Sequence, residues 1–150
     1  MKKLLLILLC LPMIGYGQGW VKNFYDTPLD FPYLSNVVST VDSGYAAFNY
    51  YGIIKTNALG DTIWTNQNYE GTEWGIQTYD GGYMLINLYG LFKLDNLGAL
   101  EWSDSSIYVE PSTIDQTSDS GYVYTGTAGG NLKADEHLRV VRVNSIGDTL

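Results

Sequence analysis

Three aspartates stand in one recurring setting: Thr40-Val41-Asp42-Ser43-Gly44-Tyr45, Thr78-Tyr79-Asp80-Gly81-Gly82-Tyr83 and Thr117-Ser118-Asp119-Ser120-Gly121-Tyr122. The shared pattern, Thr-x-Asp-(Ser/Gly)-Gly-Tyr, returns after 38 and then 39 residues. A recurring carboxylate suggests a calcium ligand. Calcium, however, takes about six to eight converging oxygens, and each motif brings one carboxylate beside Ser or Gly. The pattern therefore predicts a tight turn, with Asp42, Asp80 and Asp119 accepting backbone N–H groups and the following glycine taking a positive φ. On this reading Gly44, Gly82 and Gly121 serve the turn, and Tyr45, Tyr83 and Tyr122 open the next strand.

Other chemistry finds few groups to work with. His137 is the sole histidine, so a histidine-based metal cluster or a Ser-His-Asp triad cannot be assembled, and the only arginines are Arg139 and Arg142. Carboxylates are numerous enough that a glycosidase-type pair stays open from spacing alone. Lys55, Lys93 and Arg142 share one repeat position. They form either a ring of positive charge or basic stems that cover apolar surface while their heads reach water or a carboxylate, and the second is expected.

The residues that break the repeat are better candidates for binding, because shared positions must serve the fold first. In the third unit a hairpin turn gains ten residues, Thr127 to His137, and loops on a rigid sheet are where binding residues concentrate. His137 in that loop and the unique aromatics Trp74, Tyr79 and Phe31 are the candidate ligand contacts, with core or rim packing as the alternative for each ring.

These residues must be positioned by a repeated element. Sixteen residues after the motif glycine comes a second one, Gly60 and Gly98, with Lys five positions before it and Trp64 and Trp102 four after it. The segment Arg142 to Leu150 matches Lys55 to Ile63 and places Gly147 in the same role; the next residue is expected to be Trp, so the chain reads as the beginning of a longer array. Trp20 opens a stretch parallel to the one opened by Trp64. The units run approximately 20–63, 64–101 and 102–150, and a period of this length marks stacked copies of one supersecondary unit. Trp20, Trp64 and Trp102 are expected to pack between units.

Within each unit, runs such as Tyr45–Asn49 with Gly52–Lys55, and Tyr83–Asn87 with Gly90–Leu94, read as β-hairpins joined by Asn- and Gly-bearing turns. Their apolar character predicts strands covered on both faces. No sustained period of 3.6 predicts a helix. About four short strands per unit give an all-β, propeller-like array of four-stranded antiparallel blades, about three of them encoded and the ring incomplete.

The pattern Thr-x-Asp-Gly-Gly-Tyr, then an apolar pair with Lys, then Asn-x-x-Gly-x-x-x-Trp, resembles the repeats of large secreted bacterial β-propeller proteins, many of which carry a C-terminal sorting domain for type IX secretion. The resemblance covers Trp20 to Leu150 and implies a propeller fold and an extracellular setting. No sorting domain is visible in this sequence. The Thr-x-Asp-x-Gly core is also similar to the Asp-box hairpin of sialidase-type propellers, without its Trp three residues after the glycine. That likeness implies a fold-stabilising turn. The three-arginine clamp of sialidases and the two-histidine, two-tyrosine copper site of galactose-oxidase-like propellers have no counterparts in these residues.

Met1 to Gly17 reads as a signal peptide: Lys2 and Lys3, an apolar run from Leu4 to Ile14, and the small-x-small signal Gly15-Tyr16-Gly17, with Gln18 as the mature start. The apolar run is shorter than the roughly 20 residues a membrane span needs. Cys10 is preceded by bulky Leu9 where a lipobox wants a small residue. Cleavage removes this single cysteine and with it any disulfide. The eight basic side chains fall to six against sixteen acidic ones, a net charge near −10 that argues against nucleic acid and anionic membranes as partners. The expected function is a secreted or cell-surface, non-catalytic binding or adhesion scaffold for an extracellular glycan or protein, without cofactor, and self-associating if the chain is complete. The alternative is a piece of a secreted glycan-active enzyme whose catalytic residues lie on other blades.

Overall fold

The computed structural model describes residues 19–24, 34–106, 110–128 and 137–150. The signal peptide, Phe31, most of the proline- and aromatic-rich stretch before Leu34 and most of the expanded loop of the third unit lie outside the described residues. Eleven strands and no helix are found among those described: β1 Leu34–Ser39, β2 Tyr45–Asn49, β3 Gly52–Thr56, β4 Thr62–Asn66, β5 Thr72–Gln77, β6 Tyr83–Asn87, β7 Gly90–Leu94, β8 Leu100–Asp104, β9 Glu110–Gln116, β10 Tyr122–Ala128 and β11 His137–Val143. They form three antiparallel sheets, two of four strands in the order β1-β2-β3-β4 and β5-β6-β7-β8, and a third in the order β11-β10-β9. None closes on itself. Sheet and sequence unit are out of phase, since Trp64 and Trp102 lie on the last strands of the first and second sheets.

Hairpin chemistry explains the strand ends. The Asn49 side-chain oxygen accepts the N–H groups of Tyr51 and Gly52, both at 3.0 Å, and Asn87 does the same for Tyr89 at 2.7 Å and Gly90 at 3.0 Å. Each buried asparagine thus fixes a two-residue tip and the register Asn49↔Gly52 or Asn87↔Gly90. The first two sheets also share bulges, at Leu34/Asn36 and Thr72/Trp74 in the first strand pair and at Lys55/Thr56 and Lys93/Leu94 in the third. A bulge bends and twists a strand, so the two sheets are shaped alike.

The core lies between sheets. Along β6, Tyr83 and Leu85 point to the first sheet, where they join Ala46, Phe48 and Ile53. Met84 and Ile86 point the other way and meet Ile114, Tyr122, Tyr124 and Val143 of the third sheet. This two-residue alternation buries both faces of the second sheet. Its size matching is local: a Cβ on Gly75 of β5 would come within 2.2 Å of the Phe48 ring, whereas Ile86, which repeats the Phe48 position, shares its cluster with Ile114, which repeats the Gly75 position.

Successive sheets approach through their first strands, β5 packing on β1 and β2, and β9 on β5 and β6. Polar pairs lock that approach. Asn36 donates to the Gly75 carbonyl at 2.7 Å and accepts the Gly75 N–H at 3.0 Å. Gln77 accepts the N–H of Val41 at 2.8 Å, and Gln116 accepts that of Tyr79 at 2.7 Å.

Candidate functional site

The Thr-x-Asp motif is a turn with an ion pair built into it. Thr40 donates its hydroxyl to Asp42, the Gly44 N–H reaches the same carboxylate at 3.2 Å, and Lys55 Nζ meets both carboxylate oxygens at 3.0 and 2.8 Å. The third donor of Lys55 goes to the Thr56 carbonyl at 2.8 Å. In the second unit Thr78, Gly82 and Lys93 surround Asp80 at 2.5, 2.9 and 2.9 Å. In the third, Thr117 and Arg142 both reach Asp119 at 2.5 Å, and this pair lies half in solvent.

The glycines correct the sequence reading of the turn. The positive φ falls one residue earlier than the motif glycine, on Ser43 (66°), Gly81 (84°) and Ser120 (66°). Gly44, Gly82 and Gly121 are instead required for space, because a Cβ there would come within 2.1, 2.3 and 2.5 Å of the carbonyl oxygens of Thr56, Leu94 and Val143. The basic head sets the same limit, with Nζ of Lys55 and of Lys93 each 2.7 Å from that Cβ.

Electrostatics follow from these donors. Hydrogen bonds from Lys55 and then Thr40 hold Asp42 down at about 2. Burial alone would raise Asp80, but Thr78, Lys93 and the Gly82 N–H together bring it to about 2 as well. Burial pushes the Tyr83, Tyr122 and Tyr124 hydroxyls up to about 12.

The tryptophans join one sheet to the next. Trp64 of β4 meets Tyr83 of the second sheet edge-on at 5.6 Å, and Trp102 of β8 meets Tyr122 of the third at 6.1 Å. Each indole also covers the second repeat glycine of the sheet it docks on: Gly98 under Trp64 and Gly147 under Trp102, where a Cβ would lie 2.9 Å from the ring. These glycines have φ of 83° and 95°. Trp20 stands in the same relation to Tyr45, at 5.6 Å, and to Gly60, and its indole N–H donates to the Ala58 carbonyl at 3.1 Å. With Phe24 it borders an open cavity of about 680 Å³ on the outer face of the first sheet, beside Leu34, Val37 and Ala47.

Of the ligand candidates read from the sequence, Phe31 lies outside the described residues, and Trp74, Tyr79 and His137 stand in different settings. Trp74 is half-buried against the cluster between the second and third sheets. His137 opens β11 opposite Ala128. Tyr79 is 69% exposed, and its hydroxyl donates to the Gln116 carbonyl at 3.2 Å. It borders a cleft of about 140 Å³ between the second and third sheets that also contains Asp80, Lys93 and Glu101. Glu101 takes Lys93 at 2.7 Å, so two carboxylates hold one ammonium. With Lys93 held between Asp80 and Glu101, the cleft contains a charge clamp. Among the described residues no three His, Cys, Asp or Glu side chains converge as metal ligands.

Sequence reasoning placed the hairpin turns but did not single out their tyrosines. Tyr50 and Tyr51 occupy the turn between Asn49 and Gly52, with ring centroids 5.3 Å apart at 83°, and Tyr89 occupies the equivalent turn before Gly90. Tyrosine at turn centres where Gly, Asn or Asp is usual was the available signal. Glu70 on the connection from β4 to β5 lies between the tips: Asn87 donates to its carbonyl at 3.0 Å, and the next residue, Gly71, donates its N–H to the Tyr50 carbonyl at 2.5 Å. No family model matches this chain, and comparison with curated proteins likewise finds no match.

Proposed function

We propose that this chain forms propeller-type blades of a secreted or cell-surface scaffold that binds an extracellular glycan or protein without transforming it. The observation that carries the reading is the division of labour among side chains. The motif carboxylates Asp42, Asp80 and Asp119 are each clamped by a basic side chain, while aromatic rings on rigid turns stand in solvent. Fixed turns that present flat rings lose little entropy on binding. Contact of successive sheets through β1, β5 and β9, with the same tryptophan docking repeated outward, supports a radial blade arrangement. The signal-like leader supports export.

Probing arrays of surface glycans and envelope proteins with the purified chain tests the reading. Saturable retention on a discrete set of spots is expected. Turnover of a polysaccharide panel, abolished by one carboxylate substitution, would overturn it in favour of a glycan-active enzyme.

A further inference from the structure

Two hairpin tips and one connection meet at the junction of the first and second sheets. Tyr50 is 43% exposed and Tyr89 65%, and the two Tyr rings of the first tip stand at 83° to each other, so they form a corner and not a flat ledge. The backbone of this corner is held from several sides. Asn49 and Asn87 cap the tips, the Gly71 N–H reaches the Tyr50 carbonyl, and the Tyr69 N–H reaches the Tyr51 carbonyl at 3.4 Å. Gly71 also touches the second tip, since a Cβ on it would lie 3.6 Å from Cε2 of Tyr89. Glu70, exposed and adjacent, brings the carboxylate.

We propose that Tyr50, Tyr51, Tyr89 and Glu70 form a recognition site for a cationic group of the ammonium type, such as a lysine side chain or a quaternary ammonium. The face of an aromatic ring carries negative potential, and rings set at an angle around a carboxylate present several such faces to one charge. The Glu70 carboxylate, which also takes a hydrogen bond from Tyr50, raises the pKa of the Tyr50 hydroxyl, as do burial and the Tyr89 and Tyr51 hydroxyls, so the carboxylate and the other two phenols lie near Tyr50. The net charge of −8 adds a long-range field of the sign that draws cations. Neutral sugars would use the rings but gain nothing from that field.

This inference rests on the binding-scaffold reading and narrows its ligand to a basic partner. The test is an NMR titration of the full chain, following tyrosine ring signals, with choline and with its uncharged isostere 3,3-dimethylbutanol. Choline is expected to shift the Tyr50, Tyr51 and Tyr89 signals saturably and the isostere is not. Tyr50→Ala should weaken choline about 5-fold or more, within the span of about 2- to 30-fold that cation–π energies allow, and Glu70→Gln should weaken it by a similar factor. Leu97→Ala, on an exposed turn elsewhere, should leave choline affinity unchanged, and far-UV circular dichroism should match wild type for every variant. Equal response to both probes, absence of a choline response, or indifference to Glu70→Gln would overturn the proposal. So would cellotetraose binding that depends on Tyr50 but not on Glu70, which would make the corner a sugar surface. Array binding without choline binding sinks this proposal and leaves the scaffold reading standing, whereas polysaccharide turnover with choline binding intact does the reverse.

Discussion

Removing Asp42 should destabilise the protein far more than removing the lysine it holds. Lys55 has a side chain only 4% exposed, and its three donors have three acceptors, two of them on Asp42. Asp42→Ala leaves a buried ammonium with one carbonyl. Breaking a buried pair from one side costs about 3–5 kcal/mol. Asp42 itself is 51% exposed, so water enters the vacated space and the expected cost falls to about 2–3 kcal/mol. Lys55→Met keeps the stem and leaves the Asp42 carboxylate half in water with its Thr40 and Gly44 donors, at a cost of about 1 kcal/mol or less. Urea unfolding followed by tryptophan fluorescence separates the two. With a slope near 2 kcal/mol/M, Asp42→Ala should lower the midpoint by about 1 M or more and Lys55→Met by about half of that or less. Equal losses, or a larger loss for Lys55→Met, would refute the claim that the aspartate exists to neutralise a buried lysine.

The first two motif carboxylates set an acid limit. Asp42 and Asp80 bind protons less readily when folded, at about 2 against 3.8 for the free side chain, so their contribution is complete above about pH 4 and is lost as pH falls toward 2; a urea midpoint flat across that interval would contradict this. Gly98→Ala forces a side chain onto φ 83° and a Cβ to 2.9 Å from Trp64, so about 1–3 kcal/mol should be lost by urea unfolding. Gly75→Ala should cost a similar amount against the Phe48 ring, and Phe48→Leu in the same chain should recover part of it; simple additivity in the double variant would show that the ring is not what the new methyl meets.

Much of the architecture was readable because one pattern served at several levels. The alternation of Tyr83, Met84, Leu85 and Ile86 specifies two buried faces, and the Asn-to-Gly spacing specifies the hairpins. The ion pair was less visible. Asp42 and Lys55 are 13 residues apart, and only the register Ala46↔Lys55 brings the lysine back beside the turn. The sequence therefore showed an aspartate that caps a turn and a lysine whose stem covers apolar surface and whose head reaches water or some carboxylate, without joining the two. The motif glycine was assigned to backbone conformation when its need is space, because the carbonyls of Thr56, Leu94 and Val143 belong to partner strands whose approach no local pattern encodes. Trp74 is a candidate contact by its uniqueness, with packing as the alternative, and its half-buried ring packs against the cluster between the second and third sheets. The tip tyrosines were passed over as turn residues, since what makes Tyr50, Tyr89 and Glu70 neighbours is the docking of two sheets.

The proposed division of labour is one in which the repeated ion pairs stabilise each sheet while exposed tip residues bind. Array binding by Tyr50→Ala/Tyr89→Ala and by Asp42→Ala, each measured well inside its folded range beside its urea midpoint, tests it most directly. The tip variant should lose binding and keep its midpoint, and the aspartate variant should lose midpoint and keep binding. The opposite assignment, with binding lost through Asp42 and retained without the tyrosines, would contradict the account.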